Sequence, residues 1–228
     1  MSRRRKLEKF GKILEYPHVY EMTEPRNHIV RKNITETADM RGKWSTAFAN
    51  EQPLCLELAC GRGEYTVAMA RQNKNINYLG IDIKGARIYQ GATIALEEKL
   101  TNAAFLRIRI EQIAYYFNEG EVDHLWITFP DPFPAKENRR MTSPPFLNSY
   151  HKILKSGGVL NFKTDDPDLF EYSLEMAEAS TLFRVVYVNR DIYSDRLHVK
   201  ELEIKTYYER MHLKAKKTIK YLQLIRND

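Results

Sequence analysis

Apolar residues enter this chain as short, nearly unbroken runs separated by turn residues and amphipathic stretches. Leu54 to Leu58, Tyr78 to Asp82, Ala104 to Ile108 and Asp123 to Phe129 have the length and continuity of strands buried on both faces. That is the pattern of a parallel sheet, not of one with a solvated side. Glu64 to Gln72 and Gly85 to Leu100 repeat apolar positions at helical spacing, and a short helical turn follows Glu111. A proline-rich loop runs to Pro145, and a helix is expected over Phe146 to Leu154. Gly157 and Gly158 end that helix and launch a strand over Val159 to Thr164. A helix from Pro167 to Ser180, a strand over Phe183 to Asn189 and a last alternation from Ile219 to Ile225 complete the pattern. KTYYERMHLKAKK (Lys205 to Lys217) is expected to be helical although it shows no clear apolar stripe. Strands alternating with helices predict an α/β fold: a Rossmann-like, mainly parallel seven-stranded sheet, helices on both faces, and a terminal antiparallel hairpin.

Residues 1–50 show no sustained periodicity and carry Arg3, Arg4, Arg5, Lys6 and further basic residues as far as Lys43. They predict an irregular basic arm ahead of a domain spanning 51–228. The basic start has no apolar segment behind it, so a secretory signal is not expected and a cytoplasmic location is. No apolar run approaches the roughly 18 residues of a membrane span. Cys55 and Cys60 are too few for a zinc site and have no histidine pair at ligand spacing, so no metal is expected. A net charge of +6 favours a polyanionic partner.

Candidate chemistry collects at two strand ends. The first strand carries Glu57 and runs into Ala59-Cys60-Gly61-Arg62-Gly63. Glycine loops of this kind serve dinucleotides and S-adenosylmethionine alike. Here Thr66 stands where the third dinucleotide glycine belongs, and Glu64 would set a negative charge beside a pyrophosphate. Phosphate is disfavoured, whereas the ammonium and sulfonium of S-adenosylmethionine suit a carboxylate such as Glu57. Asp82 closes the second strand about twenty residues on, where an acid takes ribose hydroxyls. The bland alternative for either acid is the capping of a following helix. The other strand end is FPDPFP, which holds Asp131 between two prolines on the same carboxyl edge of the expected sheet.

LELACGRG, YLGIDIK, WITFPDPFPAKENRR (Trp126 to Arg140), FKTDDPDLF (Phe162 to Phe170) and TYYE (Thr206 to Glu209), in this order, resemble the bacterial tRNA (guanine-N7-)-methyltransferase family. The resemblance runs from about Asn33 to the C-terminus. It implies a class I methyltransferase fold, S-adenosylmethionine as donor, and N7 of a guanine in the tRNA variable loop as acceptor. By position it implies Glu57, Gly61, Gly63, Asp82, Arg109, Ile110 and Asp131 on the cofactor side, with Asp131 also catalytic. It implies Lys136, Asp165, Thr206, Tyr207, Tyr208 and Glu209 on the substrate side. The chain departs from the family at three places. Ala59 replaces the first loop glycine, Arg109 stands where an acid or amide meets adenine, and the basic run around Lys136 is shortened.

The residue types fit that chemistry. Guanine N7 presents an in-plane lone pair and no hydrogen, so attack on a sulfonium methyl needs no general base, only orientation and charge placement. Asp131, Asp165 and Glu209 can accept the guanine N1 and N2 hydrogens and face the cation formed. Phe133 is a stacking candidate, the Tyr207 and Tyr208 pair is weighed more towards packing than stacking, and Arg139 and Arg140 are phosphate candidates. His124 reads as a strand residue and not a base. Two rival classes remain at this stage: an adenine or cytosine amino methyltransferase, suggested by DPF, and a noncatalytic RNA-binding protein on a vestigial nucleotide fold.

Overall fold

The computed structural model describes residues 3–25 and 27–228, with side chains from residue 8 onward. The side chains of Arg3, Arg4, Arg5 and Lys6 therefore lie outside the described residues. Helix α1 (Arg3–Lys12) leads into three short strands, β1 (Val19–Met22), β2 (Ile29–Arg31) and β3 (Thr37–Asp39). The alternating part follows: β4 (Leu54–Leu58), α2 (Glu64–Gln72), β5 (Asn77–Ile81), α3 (Gly85–Glu97), β6 (Ala103–Arg107), β7 (Val122–Thr128) and α4 (Pro144–Ile153). Then come β8 (Leu154–Thr164), α5 (Pro167–Glu178), β9 (Phe183–Asn189), α6 (Tyr207–Lys214) and β10 (Lys220–Arg226).

Among the described residues the strands form one ten-stranded sheet in the order β3-β2-β1-β6-β5-β4-β7-β8-β10-β9. Strands β1, β6, β5, β4, β7 and β8 run parallel. All five residues of β4 are buried, as a central strand covered on both faces requires. Side chains alternate between two layers: Leu54, Leu56 and Leu58 pack with α4 and α5, whereas Cys55 packs with α2 and α3. Glu57, two residues from Cys55, faces α2.

The fold class is as expected, with three more strands than the seven predicted. The irregular arm is where the expectation and the structure part. Strand β1 pairs with β6 through Val19↔Phe105, Tyr20↔Leu106 and Glu21↔Arg107, and the ion pair between Arg107 and the buried Glu21 ties the two together. Trp44 stacks on Phe117, meets Tyr20 edge-on, and donates from Nε1 to the Tyr116 carbonyl at 2.8 Å. Strands of three or four residues are too short to show a period, which is why this segment reads as irregular in sequence. The expected hairpin is a longer excursion: β10 inserts between β8 and β9 and pairs antiparallel with both.

Chain order runs from β4 through β5 to β6 on one side, then returns to β7 on the other side of β4. The carboxyl edge beside β4 and β7 is thus the switch point at which α/β sheets bind ligands.

Candidate functional site

The loop leaving β4 is built by left-handed backbone at alternate positions: Ala59 has φ +57°, Gly61 +56° and Gly63 +69°. A Cβ at Gly63 would come within 2.6 Å of the Phe105 ring, so this glycine is required for close packing as well as for its φ. Asp82 holds the loop in place. One of its oxygens accepts from the Gly61 amide at 3.0 Å and the other from the Lys84 amide at 2.7 Å. Neither contact is a helix cap, since α2 and α3 start at Glu64 and Gly85 with no side-chain cap; Asp82 ties the β4 loop to the end of β5.

Glu57 is 2% exposed. Its Oε2 accepts from the Thr66 amide at 2.8 Å and from the Thr66 hydroxyl, while Oε1 accepts from Thr128 Oγ1 at 3.1 Å. Burial pushes its carboxyl up to about 7, against the opposing pull of those hydrogen bonds. The group is poised between its two protonation states, and a cation nearby favours the charged one.

Beyond β7 the chain turns sharply at two non-glycine residues with positive φ, Phe129 (+50°) and Phe133 (+41°), which bracket Asp131. The Phe129 amide donates to the Lys163 carbonyl at 2.8 Å. Asp131 is exposed and its carboxylate has no hydrogen-bond or ion-pair partner among the described residues. The loop is braced from behind by Arg140, which is buried, donates from Nε to the Pro132 carbonyl at 3.1 Å and lies 4.4 Å over the Tyr172 ring. Arg140 is thus a brace, contrary to the phosphate contact expected for it. Arg139 stays exposed, 4.7 Å over Phe133.

Asp165 follows β8 and is neutralised from α6 and beyond. Its Oδ2 lies 2.6 Å from Lys217 Nζ and 3.2 Å from His212 Nδ1. His212 stacks on Phe129 at 5.8 Å. Thr206 caps α6, its hydroxyl accepting from the Glu209 amide at 3.2 Å. Tyr207 and Tyr208 are each 45% exposed, so the packing role weighed for the pair is not what the structure displays.

Glu209 differs most from expectation. It is fully buried, and its carboxylate receives Lys163 Nζ at 2.8 Å and the Tyr193 hydroxyl at 2.6 Å. Its side chain anchors α6 to the sheet instead of facing an acceptor base.

These pieces enclose a cavity of about 390 Å³ at the switch point. Of the residues expected in a site, Glu57, Gly61, Asp131, Asp165, Thr206 and Tyr208 line it. Gly63 and Asp82 support the loop from behind. Tyr207 lies alongside, Glu209 is buried beneath, Arg109 and Ile110 sit at the start of a 3₁₀ turn following β6, and Lys136 is exposed beyond the Asp131 loop. Sequence reasoning missed Arg62, Thr128, His212 and Lys217, all of which line the cavity. For His212 a signal existed: it stands one helical turn after Tyr208. No group of His, Cys, Asp or Glu fit to hold a metal ion occurs among the described residues.

The family model described as "Putative methyltransferase" matches residues 51–222. A tRNA (guanine-N(7)-)-methyltransferase of Bacteroides fragilis (strain YCH46) is 42% identical over 221 residues, covering 96% of this chain and 85% of that protein. One from Christiangramia forsetii is 39% identical over 227 residues, covering 98% of each. Among solved structures, a 16S rRNA (adenine(1408)-N(1))-methyltransferase from Catenulisporales acidiphilia aligns with TM-score 0.62 at 16% identity, over 86% of this chain and 97% of that one. The 16S rRNA methyltransferase KamB aligns at TM-score 0.61 and 12% identity, over 85% and 97%. At such identities these two share the fold alone.

Proposed function

We propose, from the premise that this chain belongs to the tRNA (guanine-N7-)-methyltransferase family, that it transfers a methyl group from S-adenosylmethionine to N7 of a guanine in the variable loop of tRNA. The observation that carries the acceptor side is Asp131, an unpartnered carboxylate fixed on a braced loop at the mouth of the switch-point cavity.

The cavity suits S-adenosylmethionine on its donor set. Its volume lies within the range of small-molecule sites. The acids Glu57 and Glu64 line it, which disfavours a phosphate and favours a cationic amino acid group. When bound, S-adenosylmethionine supplies an electrophilic methyl on a sulfonium. Glu57 ionises to meet the positive charge, and the Ala59 to Gly63 loop gives the nucleoside close approach to backbone. Asp131 accepts from the incoming guanine edge and offsets the positive charge that N7 alkylation leaves on the ring. Asp165 takes the same kind of donor once Lys217 moves off it. Guanine N7 carries no proton, so no residue needs to remove one. Lys136 and Arg139, together with Arg3, Arg4, Arg5 and Lys6 of the arm, take phosphates of the tRNA, and a tRNA substrate implies work in the cytoplasm. No helix among the described residues is long and apolar enough to cross a membrane.

Incubation of unmodified tRNA with methyl-labelled S-adenosylmethionine tests this reading. The label is expected as 7-methylguanosine, with reduction and strand scission at a single variable-loop guanine. Label on an exocyclic amine would move the protein to the amino methyltransferases. No label with a folded, tRNA-binding protein would reduce it to a binding module.

A further inference from the structure

Helix α6 is attached to the rest of the molecule in an unusual way: its one buried residue is the charged Glu209. Leu213 rests partly buried on the apolar core and His212 stacks on Phe129, while several attachments at the start of the helix come from a single stretch of chain. The carboxylate of Glu64 accepts from the Tyr207 amide at 2.6 Å, occupying the first free N–H of α6. The Arg62 guanidinium lies 5.4 Å over the Tyr207 ring. The Tyr65 hydroxyl donates at 2.7 Å to the Glu201 carbonyl, in the 3₁₀ turn just before α6. Residues 62, 64 and 65 thus all reach residues 201–207. They also lie in or directly after the glycine loop, and all three line the cavity.

The negative end of this linkage sits where a helix N-terminus favours an anion. The same carboxylate lies in the wall of the cavity assigned to a cationic cofactor. Anything that fixes the conformation of the 59–66 loop therefore fixes the cap of the helix that contributes Tyr208 and His212 to the acceptor side.

We propose that Glu64 is a positioning residue that couples cofactor binding in the glycine loop to acceptor binding at α6. This rests on the reading of the cavity as a site for S-adenosylmethionine and tRNA. Ligand in the loop restricts Glu64, Glu64 holds α6 in register, and the ordered helix receives the base at lower entropic cost. Binding energies being reciprocal, tRNA tightens the cofactor by the same factor.

The test is calorimetric titration of S-adenosylhomocysteine into the protein alone and into the protein saturated with unmodified tRNA. Wild type is expected to bind roughly tenfold more tightly with tRNA present, within the usual range of coupling. In Glu64→Ala the ratio of the two affinities is expected to fall below about twofold. Glu64→Gln, which keeps an oxygen for the Tyr207 amide, is expected to retain most of it. Tyr207→Pro removes the donor at a position where proline suits a helix start, and Thr206 at ψ 167° already has the backbone that precedes proline. It is expected to behave like Glu64→Ala. An unchanged ratio in Glu64→Ala overturns the proposal, as does a wild-type ratio of one or full coupling in Tyr207→Pro. Wild type that does not bind S-adenosylhomocysteine under either condition would instead sink the functional reading beneath it.

Discussion

Lys163 and Glu209 meet as an ion pair with neither side chain exposed to solvent, one at the end of β8 and the other in the first turn of α6. Out of water on both sides, the pair is completed by the Tyr193 hydroxyl on Glu209 and the Ile204 carbonyl on Lys163, and burial pulls the Lys163 ammonium below its ordinary value. Glu209→Ala strands that ammonium and is expected to cost about 3 to 5 kcal/mol in urea denaturation. Replacing the pair together, Lys163→Met with Glu209→Leu, is expected to recover most of that stability. A cost below about 1 kcal/mol for the single variant would mean that water reaches the pair.

The Glu57 carboxyl gives a pH dependence of known sign. Its folded value of about 7 lies above the ordinary 4.5. Between those limits the folded protein holds the proton and the unfolded chain does not, so stability falls as pH rises through the window, by on the order of 3 kcal/mol. Glu57→Gln is expected to flatten that slope. Binding of S-adenosylmethionine near pH 6.5 is expected to release protons from wild type but fewer from this variant. Calorimetry in buffers of different ionisation enthalpy reads the difference.

Asp131→Asn alters an exposed, unpartnered group, so methyl transfer is expected to collapse while the melting temperature stays within about 2 °C. Arg140→Ala acts from behind the same loop. Without its hold on the Pro132 carbonyl, turnover is expected to fall at least tenfold with affinity for S-adenosylmethionine little changed. Equal losses in turnover and cofactor affinity for Arg140→Ala would refute a role confined to the loop.

Two glycines of the β4 loop are expected to respond differently to alanine. At Gly61 a Cβ would find its nearest neighbour 3.9 Å away, so only the left-handed backbone counts, at about 1 kcal/mol. At Gly63 the same Cβ would collide with the buried Phe105 ring and crowd Gly91. Gly63→Ala is expected to lose more than about 2 kcal/mol in denaturant titration. Similar costs at both positions would mean that Phe105 yields.

Sequence exposed the central sheet because buried strands are continuous apolar runs, and it exposed the carboxyl-edge acids because each lies where such a run ends. It hid β1 to β3, where the pairing partner of Val19 is Phe105, far along the chain, and nothing local marks the contact. The same limit explains Glu209. An acid in a polar, stripe-less helix reads as free to meet a substrate until Lys163 is seen to arrive from another element. Arg140 beside Arg139 looks like half of a phosphate clamp, yet only the path of the 131–140 loop tells which of the two turns inward.

The position of β10 sets an order on the birth of this molecule. Strand β9 touches the sheet through β10, which follows it in the chain only after the whole of segment 190–219. Until Lys220 to Arg226 emerge, the outer flank of β8 stays open and β9 has no neighbouring strand to dock against. Chain segment 190–219, which brings Thr206, Tyr208, His212 and Lys217 to the cavity, is strung between those two strands. A nascent chain can close the glycine-loop half of its sheet early, but the acceptor half is completed only after β10 has been made. A chain broken off before Lys220 is therefore expected to gather its cofactor-side strands yet to leave the hydrogen-bonding edge of β8 bare and sticky and the acceptor side of the cavity unbuilt.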